Sequence, residues 1–373
     1  MFGQISFDII FLFILYGAGA MTALMACLYL LLRRSNAFVP DVTPPVRLRR
    51  WTAAFFAVLS LGHVWYLPAV MFTSSDDIEQ SMRVGGLLDS MTVVPLVIII
   101  LLCMLQDRRR PLWPAFVMAL PPVAGLAACI ATHSDAYFPM VNGYLLLLGM
   151  GIIIYMVRAV RQYGRWLRNN YADLEHKEVW QSFLVLAVIL LVFSIYVSGF
   201  GGAAYEYIVQ ICGIVLIGYL LWRVETLSDL STSQPLSIPA EEVATAFEET
   251  APALLPEPSP DDMGALLQRH CIDTQLYLQH DLTVTQLAQA IGSNRTYLSQ
   301  YFSRQDTTYN AYINNLRINH FIHLYRDAIA AQRPFTAQQL ASDSGYRSYS
   351  TFSLAFKQRM GQSVTAWMRD STV

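Results

Sequence analysis

The sequence predicts an all-α chain in three parts: a bundle of seven transmembrane helices over 1–223, a flexible acidic, proline-rich linker over 224–262, and a tandem helix-turn-helix domain over 263–373. Three observations predict it. Apolar residues make up 54% of the 373 residues and charged residues only 14%, against about 25% charged in a soluble domain. The charge deficit lies before Trp222. Behind it, between Leu282 and Arg369, the pattern Leu-Ala-x-x-x-Gly followed by a helix with an inward aromatic occurs twice.

The membrane part is drawn from seven apolar stretches: Phe7–Leu32, Trp51–Phe72, Val84–Leu105, Leu112–Ala131, Met140–Val160, Trp180–Phe200 and Tyr205–Trp222. Each is near the roughly 20 residues that cross the hydrocarbon as a helix. The first is too long for a signal-peptide core and lacks a basic leader, so no cleavage is expected. Orientation follows from the arginines. Arg33, Arg34, Arg47, Arg49 and Arg50 fall in the first connection, Arg108 to Arg110 in the third, and Arg158, Arg161, Arg165, Arg168 and Lys177 around the fifth. The alternate connections hold only Arg83, beside Asp76, Asp77, Glu79 and Asp135. Basic connections stay inside, so the N-terminus is expected outside and everything after Arg223 in the cytoplasm. The expected location is a bacterial inner (cytoplasmic) membrane, spanned several times.

The five cysteines, Cys27, Cys103, Cys129, Cys212 and Cys271, show no CxxC and no metal-ligand spacing. They read as small apolar filler, and neither a metal nor a cofactor is expected. From Val224 to Asp262 there is no Lys or Arg, while Glu225, Asp229, Glu241, Glu242, Glu248, Glu249, Glu257, Asp261 and Asp262 give one-signed charge. Six prolines interrupt helices there, which argues for a disordered spacer with room for a short helix over Ala240–Glu249.

In the last part Asp281 or Thr283 caps a helix with Val284, Leu287, Ala288 and Ile291 inward. Gly292 permits the turn, and Ser293 caps a second helix, Asn294–Arg304, with Leu298 and Phe302 inward. The repeat has Thr336 as cap, Leu340 and Ala341 inward, Gly345 at the turn, and Ser348 or Ser350 opening a helix with Phe352 and Phe356 inward. Tyr309–Ala331 reads as a long helix joining the copies, with Tyr312, Ile313, Leu316, Ile318, Phe321, Ile322 and Tyr325 apolar.

Those residues carry a resemblance. Leu287-Ala288, Tyr297-Leu298-Ser299, Phe302, Tyr312-Ile313-x-x-Leu316-Arg317-Ile318, Gly345-Tyr346, Phe352-x-x-x-Phe356-Lys357 and Gly361 resemble the DNA-binding domain of the AraC/XylS family. The likeness implies two subdomains joined by a long helix, each placing a recognition helix in one of two successive major grooves. Two positions depart from the family pattern. Gly361-Gln362-Ser363-Val364 stands where Gly-x-Thr-Pro is common, and Leu354 where a basic residue is common. The membrane part resembles no identified family.

The outward positions of the first recognition helix are Asn294, Arg295, Thr296, Ser299 and Gln300; those of the second are Arg347, Ser348, Tyr349, Ser350, Thr351 and Ser353, with Lys357 further along. Gln pairs with adenine and Arg forks onto guanine, hydroxyls suit phosphates or base edges, and Lys357 reads as a phosphate contact. From Met263 on there are ten Lys and Arg against six Asp and Glu, a positive balance consistent with phosphate neutralisation.

Polar residues inside spans are costly and mark candidate function. His63, Asp89, Asn142, Glu206 and Gln210 are the candidate ligand-binding positions. The only lysines are Lys177 and Lys357, so no span offers a Schiff-base lysine. Phosphate-binding loops and the common hydrolase signatures are absent, and no enzyme is expected. The reading is therefore a membrane-bound, sequence-specific transcription regulator, a one-component signalling protein coupling a signal at the membrane to gene expression. The alternative is a transporter or membrane enzyme with an appended DNA-binding domain, for which midplane ionisable residues would be the mark. The partners expected are double-stranded DNA and the lipid bilayer; RNA polymerase, a small-molecule or membrane signal and a second copy of the chain complete the set.

Overall fold

The computed structural model describes residues 7–33, 36–40, 42–197, 202–230 and 260–370, and among them regular structure is helical apart from one isolated antiparallel bridge. Two compact units form: Met1–Tyr163 with Val179–Pro235, and Gly164–Glu178 with Leu236–Val373.

The first unit holds α1 (Phe7–Leu32), α2 (Val46–Trp65), α3 (Pro68–Met71), α4 (Ser75–Met104), α5 (Trp113–Thr132), the bulk of α6 (Phe138–Asn170), α7 (Trp180–Val197) and α8 (Gly202–Thr226). Helix α1 packs on α2 and α8, α4 on α2 and α5, and α7 on α8. Ile14, Leu147 and Leu191 stay more than half exposed on these helices. An apolar surface on this scale belongs against lipid or another apolar partner.

Five described helices are long and apolar enough to cross a membrane: Ile10–Leu32, Ser75–Met104, Trp113–Thr132, Phe138–Asn170 and Tyr207–Thr226. Of the seven expected spans, the two outside this set are instructive. The stretch Trp51–Phe72 is not one helix: α2 begins five residues earlier, takes in Arg47, Arg49 and Arg50, and stops at Trp65 ahead of Pro68. A proline clashes with the backbone before it and lacks a donor, so it starts the short α3 instead. Helix α7 is described over 18 residues, Trp180–Val197, and the end of the expected stretch, 198–200, lies outside the described residues. Helix α4 starts nine residues before the expected Val84, with Asp76 and Asp77 in its first turn, where carboxylates suit the helix dipole.

Helix α8 runs past Arg223 to Thr226, and Leu227 and Leu230 are buried in the same unit. Asp229 N donates to Thr43 O at 2.8 Å, and Leu230 N to Gln106 Oε1 at 2.9 Å. Residues 224–230, expected in the linker, are thus held in the first unit. The rest of the expected linker, including the short helix over Ala240–Glu249, lies outside the described residues as far as 259.

The second unit contains α9 (Pro260–Leu267), a π turn (Gln268–Ile272), a 3-10 turn (Leu276–Leu278), α10 (Val284–Ala290), α11 (Arg295–Arg304), α12 (Tyr309–Ala330), α13 (Ala337–Asp343), α14 (Tyr349–Met360) and α15 (Val364–Asp370). It has two cores. The first gathers Met263, Leu267, Cys271, Leu287, Ala288, Leu298, Phe302, Tyr309 and Ile313 around α10 and α11. The second gathers Ile318, Phe321, Tyr325, Leu340, Tyr346, Phe352 and Phe356 around α13 and α14. Helix α12 gives its first turns to one core and its later turns to the other, so both recognition elements are built on a single rigid rod.

Candidate nucleic-acid interface

Each reading element is positioned by a short-range device that the sequence encodes. Thr283 forms a capping box: Gln286 N donates to Thr283 Oγ1 at 3.2 Å, and Thr283 N to Gln286 Oε1 at 2.8 Å. The paired bonds satisfy two helix-end donors. Gly292 then takes φ +68°, a conformation that glycine adopts without Cβ strain. The residue that caps α11 is Asn294, whose Oδ1 accepts Tyr297 N at 2.9 Å; the expected cap Ser293 is one residue early, and its Oγ is buried. Leu298 and Phe302 anchor α11 inward.

The second copy repeats the plan. Thr336 Oγ1 accepts Gln339 N at 3.1 Å, Gly345 turns at φ +88°, and Ser348 caps α14 by accepting Thr351 N at 3.3 Å. Phe352 and Phe356 are fully buried, with Phe321 centred 4.4 Å from Phe352 and 5.8 Å from Phe356.

On α11, Arg295, Thr296 and Gln300 are exposed and Ser299 is half-buried. Asn294 is exposed too, but its oxygen is engaged as the cap. On the second element Arg347, Ser350 and Lys357 are exposed. Ser348 is the cap, and Tyr349 lies half-buried with its ring 5.8 Å from Phe352, so its body serves packing. Thr351 is half-buried, and its Oγ1 donates to Glu175 Oε2 at 3.1 Å. Arg347 Nη1 stands 3.7 Å from Asp281 Oδ2. Leu354 is 61% exposed.

Sequence reasoning missed two features. One is Arg317, 1% exposed in the middle of α12. Its Nε donates to Tyr277 O at 2.7 Å, its Nη2 to Gln279 O at 2.6 Å and to His280 O at 3.2 Å, and its guanidinium lies over the Tyr346 ring. It ties the segment before α10 to the turn before α14. Burial pushes its pKa below the ordinary arginine value, and the same burial raises the Tyr309 and Tyr346 phenols. The other is the segment 164–178, treated in sequence only as a basic connection. Ala172 is part of the first core, its N donates to Leu282 O at 3.3 Å, and Tyr171 pairs with Thr283 in the antiparallel bridge. Neither feature leaves a periodic signal, because the partners lie far away in the chain.

In the first unit, three of the five candidate polar residues have described neighbours. His63 Nε2 and Gln210 Oε1 lie 3.4 Å apart, Tyr16 meets the His63 ring edge-on, and Asp89 accepts the Tyr66 hydroxyl at 2.6 Å. A Cβ on Gly19 would sit 3.1 Å from His63 Nε2, so α1, α2 and α8 converge closely there. Asn142 is half-buried on α6, and the side chain of Glu206 on α8 lies outside the described residues. No cluster of His, Cys, Asp or Glu able to hold a metal occurs among the described residues.

Two capped helix pairs, each crossing at a small residue and presenting its second helix outward, define a tandem helix-turn-helix DNA-binding domain. The comparison with protein families agrees: the family described as "Helix-turn-helix domain" matches residues 274–370. This part of the chain is an AraC-type helix-turn-helix domain, behind an apolar helical region of no identified family. No curated protein and no solved structure matches the chain.

Proposed function

We propose that this protein is a membrane-bound transcription regulator that reads double-stranded DNA in the cytoplasm and responds to a signal at its membrane unit. The observation that carries the reading is the pair of capped recognition helices on one shared rod, in a chain that also has five helices able to cross a membrane. In this reading the two remaining apolar helices, α2 and α7, complete seven spans. The N-terminus is then outside and the second unit inside a bacterial inner membrane. Signal passes to the DNA-reading unit without a catalytic step. The His63–Gln210 contact lies where α1, α2 and α8 converge, and the Asp89–Tyr66 contact where α4 meets the end of α2, which supports these places as where a signal acts.

The two recognition helices read unequally. Helix α11 offers Arg295 and Gln300 to the groove, while α14 offers mostly hydroxyls and Leu354. Selection of duplexes from a random pool by the full-length protein should return two half-sites about one helical turn apart, with more information in one. Gln300→Ala or Arg295→Ala should relax preference in that half-site by about 1–3 kcal/mol. Equal information in both halves would refute the asymmetry, and failure to enrich any duplex would refute the DNA-reading function. A periplasm-dependent reporter active after Arg223 would refute the topology.

A further inference from the structure

The segment 164–178 comprises the last turns of α6 and most of the connection to α7, yet it belongs to the DNA-reading unit. Six contacts pin it there. Tyr171 pairs with Thr283, and Ala172 N donates to Leu282 O. Asn310 Nδ2 donates to Tyr171 O at 3.2 Å and to Ala172 O at 2.6 Å. Lys177 Nζ stands 3.8 Å from Asp281 Oδ1, and Glu175 Oε2 accepts the Thr351 hydroxyl at 3.1 Å. Glu175 N in turn donates to Asp173 Oδ1 at 2.9 Å, which fixes the turn that presents the carboxylate. At its other end the segment lines a cleft of about 280 Å³, with Arg165, Arg168 and Asn169 on one side and Ser299, Ser303 and Asp306 on the other.

The segment therefore faces α11 across the cleft that Ser299 lines and bonds α14 at Thr351, each among the residues assigned to the DNA-facing set. The partner it brings to α14 has the chemistry of a phosphate. A carboxylate accepts the hydroxyl of Thr351 in the first turn of a 12-residue helix, at the positive end of that helix's dipole, where an anion is favoured. A DNA phosphate arriving at the same place meets a negative charge and an occupied donor.

We propose that the segment 164–178 is an intramolecular clasp that competes with DNA for the second recognition helix, Glu175 holding the position of a backbone phosphate. DNA binding and clasp docking at α14 are then mutually exclusive. Because the clasp is the covalent connection between α6 and α7, a shift of either helix changes how firmly it docks, and DNA affinity follows. The inference rests on the DNA-reading function proposed above.

The test uses the full-length protein in phospholipid nanodiscs with cysteines replacing Glu175 and Thr351, and with Glu175→Cys alone as the control. Oxidised glutathione should close the 175–351 disulfide in the absence of DNA. The probe is a duplex selected from a random pool by the same protein in its reduced form. The cross-linked protein should bind it at least tenfold more weakly than the reduced protein, affinity should return on reduction, and prior addition of the duplex should slow cross-linking. Glu175→Ala in the otherwise unchanged chain should tighten binding about fivefold to tenfold, the scale of one lost charge-assisted hydrogen bond. Failure of the pair to cross-link without DNA would overturn the docking. Equal or tighter binding by the cross-linked form would overturn the competition and point instead to Arg165 and Arg168 as additional phosphate contacts. A reduced protein that enriches no duplex would refute the DNA-reading function itself, an outcome distinct from both.

Discussion

Replacing Arg317 by methionine probes what holds the two reading elements on their shared helix. The guanidinium donates to three carbonyls, of Tyr277, Gln279 and His280. Gln279 O keeps a second donor, Leu282 N at 3.3 Å, so the substitution takes the described donor from Tyr277 O and His280 O. Leaving the buried Tyr277 acceptor unmade costs about 1–3 kcal/mol, whereas His280 is exposed and its carbonyl can turn to water at a smaller cost. Against this, methionine relieves the burial of a cation, which the lowered arginine pKa shows to be disfavoured; replacing a buried charge by an apolar side chain is neutral to favourable in some proteins. A net loss of about 2 kcal/mol remains, equal to a rise in opening of about thirtyfold. Hydrogen exchange of the full-length protein in nanodiscs reads this directly. Peptides covering α10–α11 and α13–α14 should both exchange about thirtyfold faster, while peptides of the first unit keep their rates. Arg317→Lys should rescue little, because one ammonium cannot reproduce the fork. Unchanged or slower exchange in Arg317→Met would refute the reasoning and show the buried cation to be a net burden on the fold.

Other outcomes follow from the same geometry. Gly345→Ala should be far worse than Gly292→Ala: both glycines have positive φ, but a Cβ at Gly345 would lie 2.8 Å from the Leu278 backbone, whereas nothing lies within 4 Å at Gly292; proteolysis rates of the two variants in the reverse order would contradict this. Thr283→Ala should lower the stability of the first element by about 1 kcal/mol through loss of the capping box, visible as faster exchange confined to α10. Burial pushes the His320 pKa below 6.5, next to the Tyr277 hydroxyl at 3.1 Å. Its depressed value means that the unfolded chain takes up the proton first, so stability is fully present above pH 6.5 and declines as pH falls through that value; His320→Phe should flatten the decline, and an identical acid profile would remove His320 as its source. Lys357→Ala should weaken binding to all duplexes alike and reduce the salt slope by about one unit, in contrast to a base-specific loss.

The parts of the molecule legible in the sequence are those governed by neighbours a few residues apart. The span Phe7–Leu32 coincides with α1, and the caps Thr283, Thr336 and Ser348 with the positions that hold helix N-termini. Each is set by a continuous apolar run or by a hydroxyl three residues from the amide it bonds. Boundaries moved where local and longer-range effects compete. Helix α2 extends back over three arginines because Arg49 Nε reaches Leu30 O at 2.9 Å and stands 3.7 Å from Glu225 Oε1, partners that apolar patterning does not reveal. Within the reading face, exposure could be anticipated for Arg295 and Gln300 from helical spacing. That Asn294 and Ser348 spend their oxygens on caps, and Tyr349 its ring on Phe352, follows only from the three-dimensional placement. The segment 164–178 was the least legible, since a bridge between Tyr171 and Thr283 joins residues more than a hundred positions apart.

That bridge bears on how the unit can be detached. The second unit is discontinuous: its chain arrives from α6, leaves toward α7, and returns only beyond residue 235. It is therefore moored three times, and a protease that cuts anywhere between 231 and 259 severs one mooring. The fragment set loose would leave Ala172 behind, opening a gap in the first core and depriving the Leu282 carbonyl and the Asn310 amide of the backbone they meet. A scissile linker alone yields an incomplete domain. Regulation by shedding would have to excise a second stretch of chain or accept a loosened fold, whereas regulation in place keeps the unit whole.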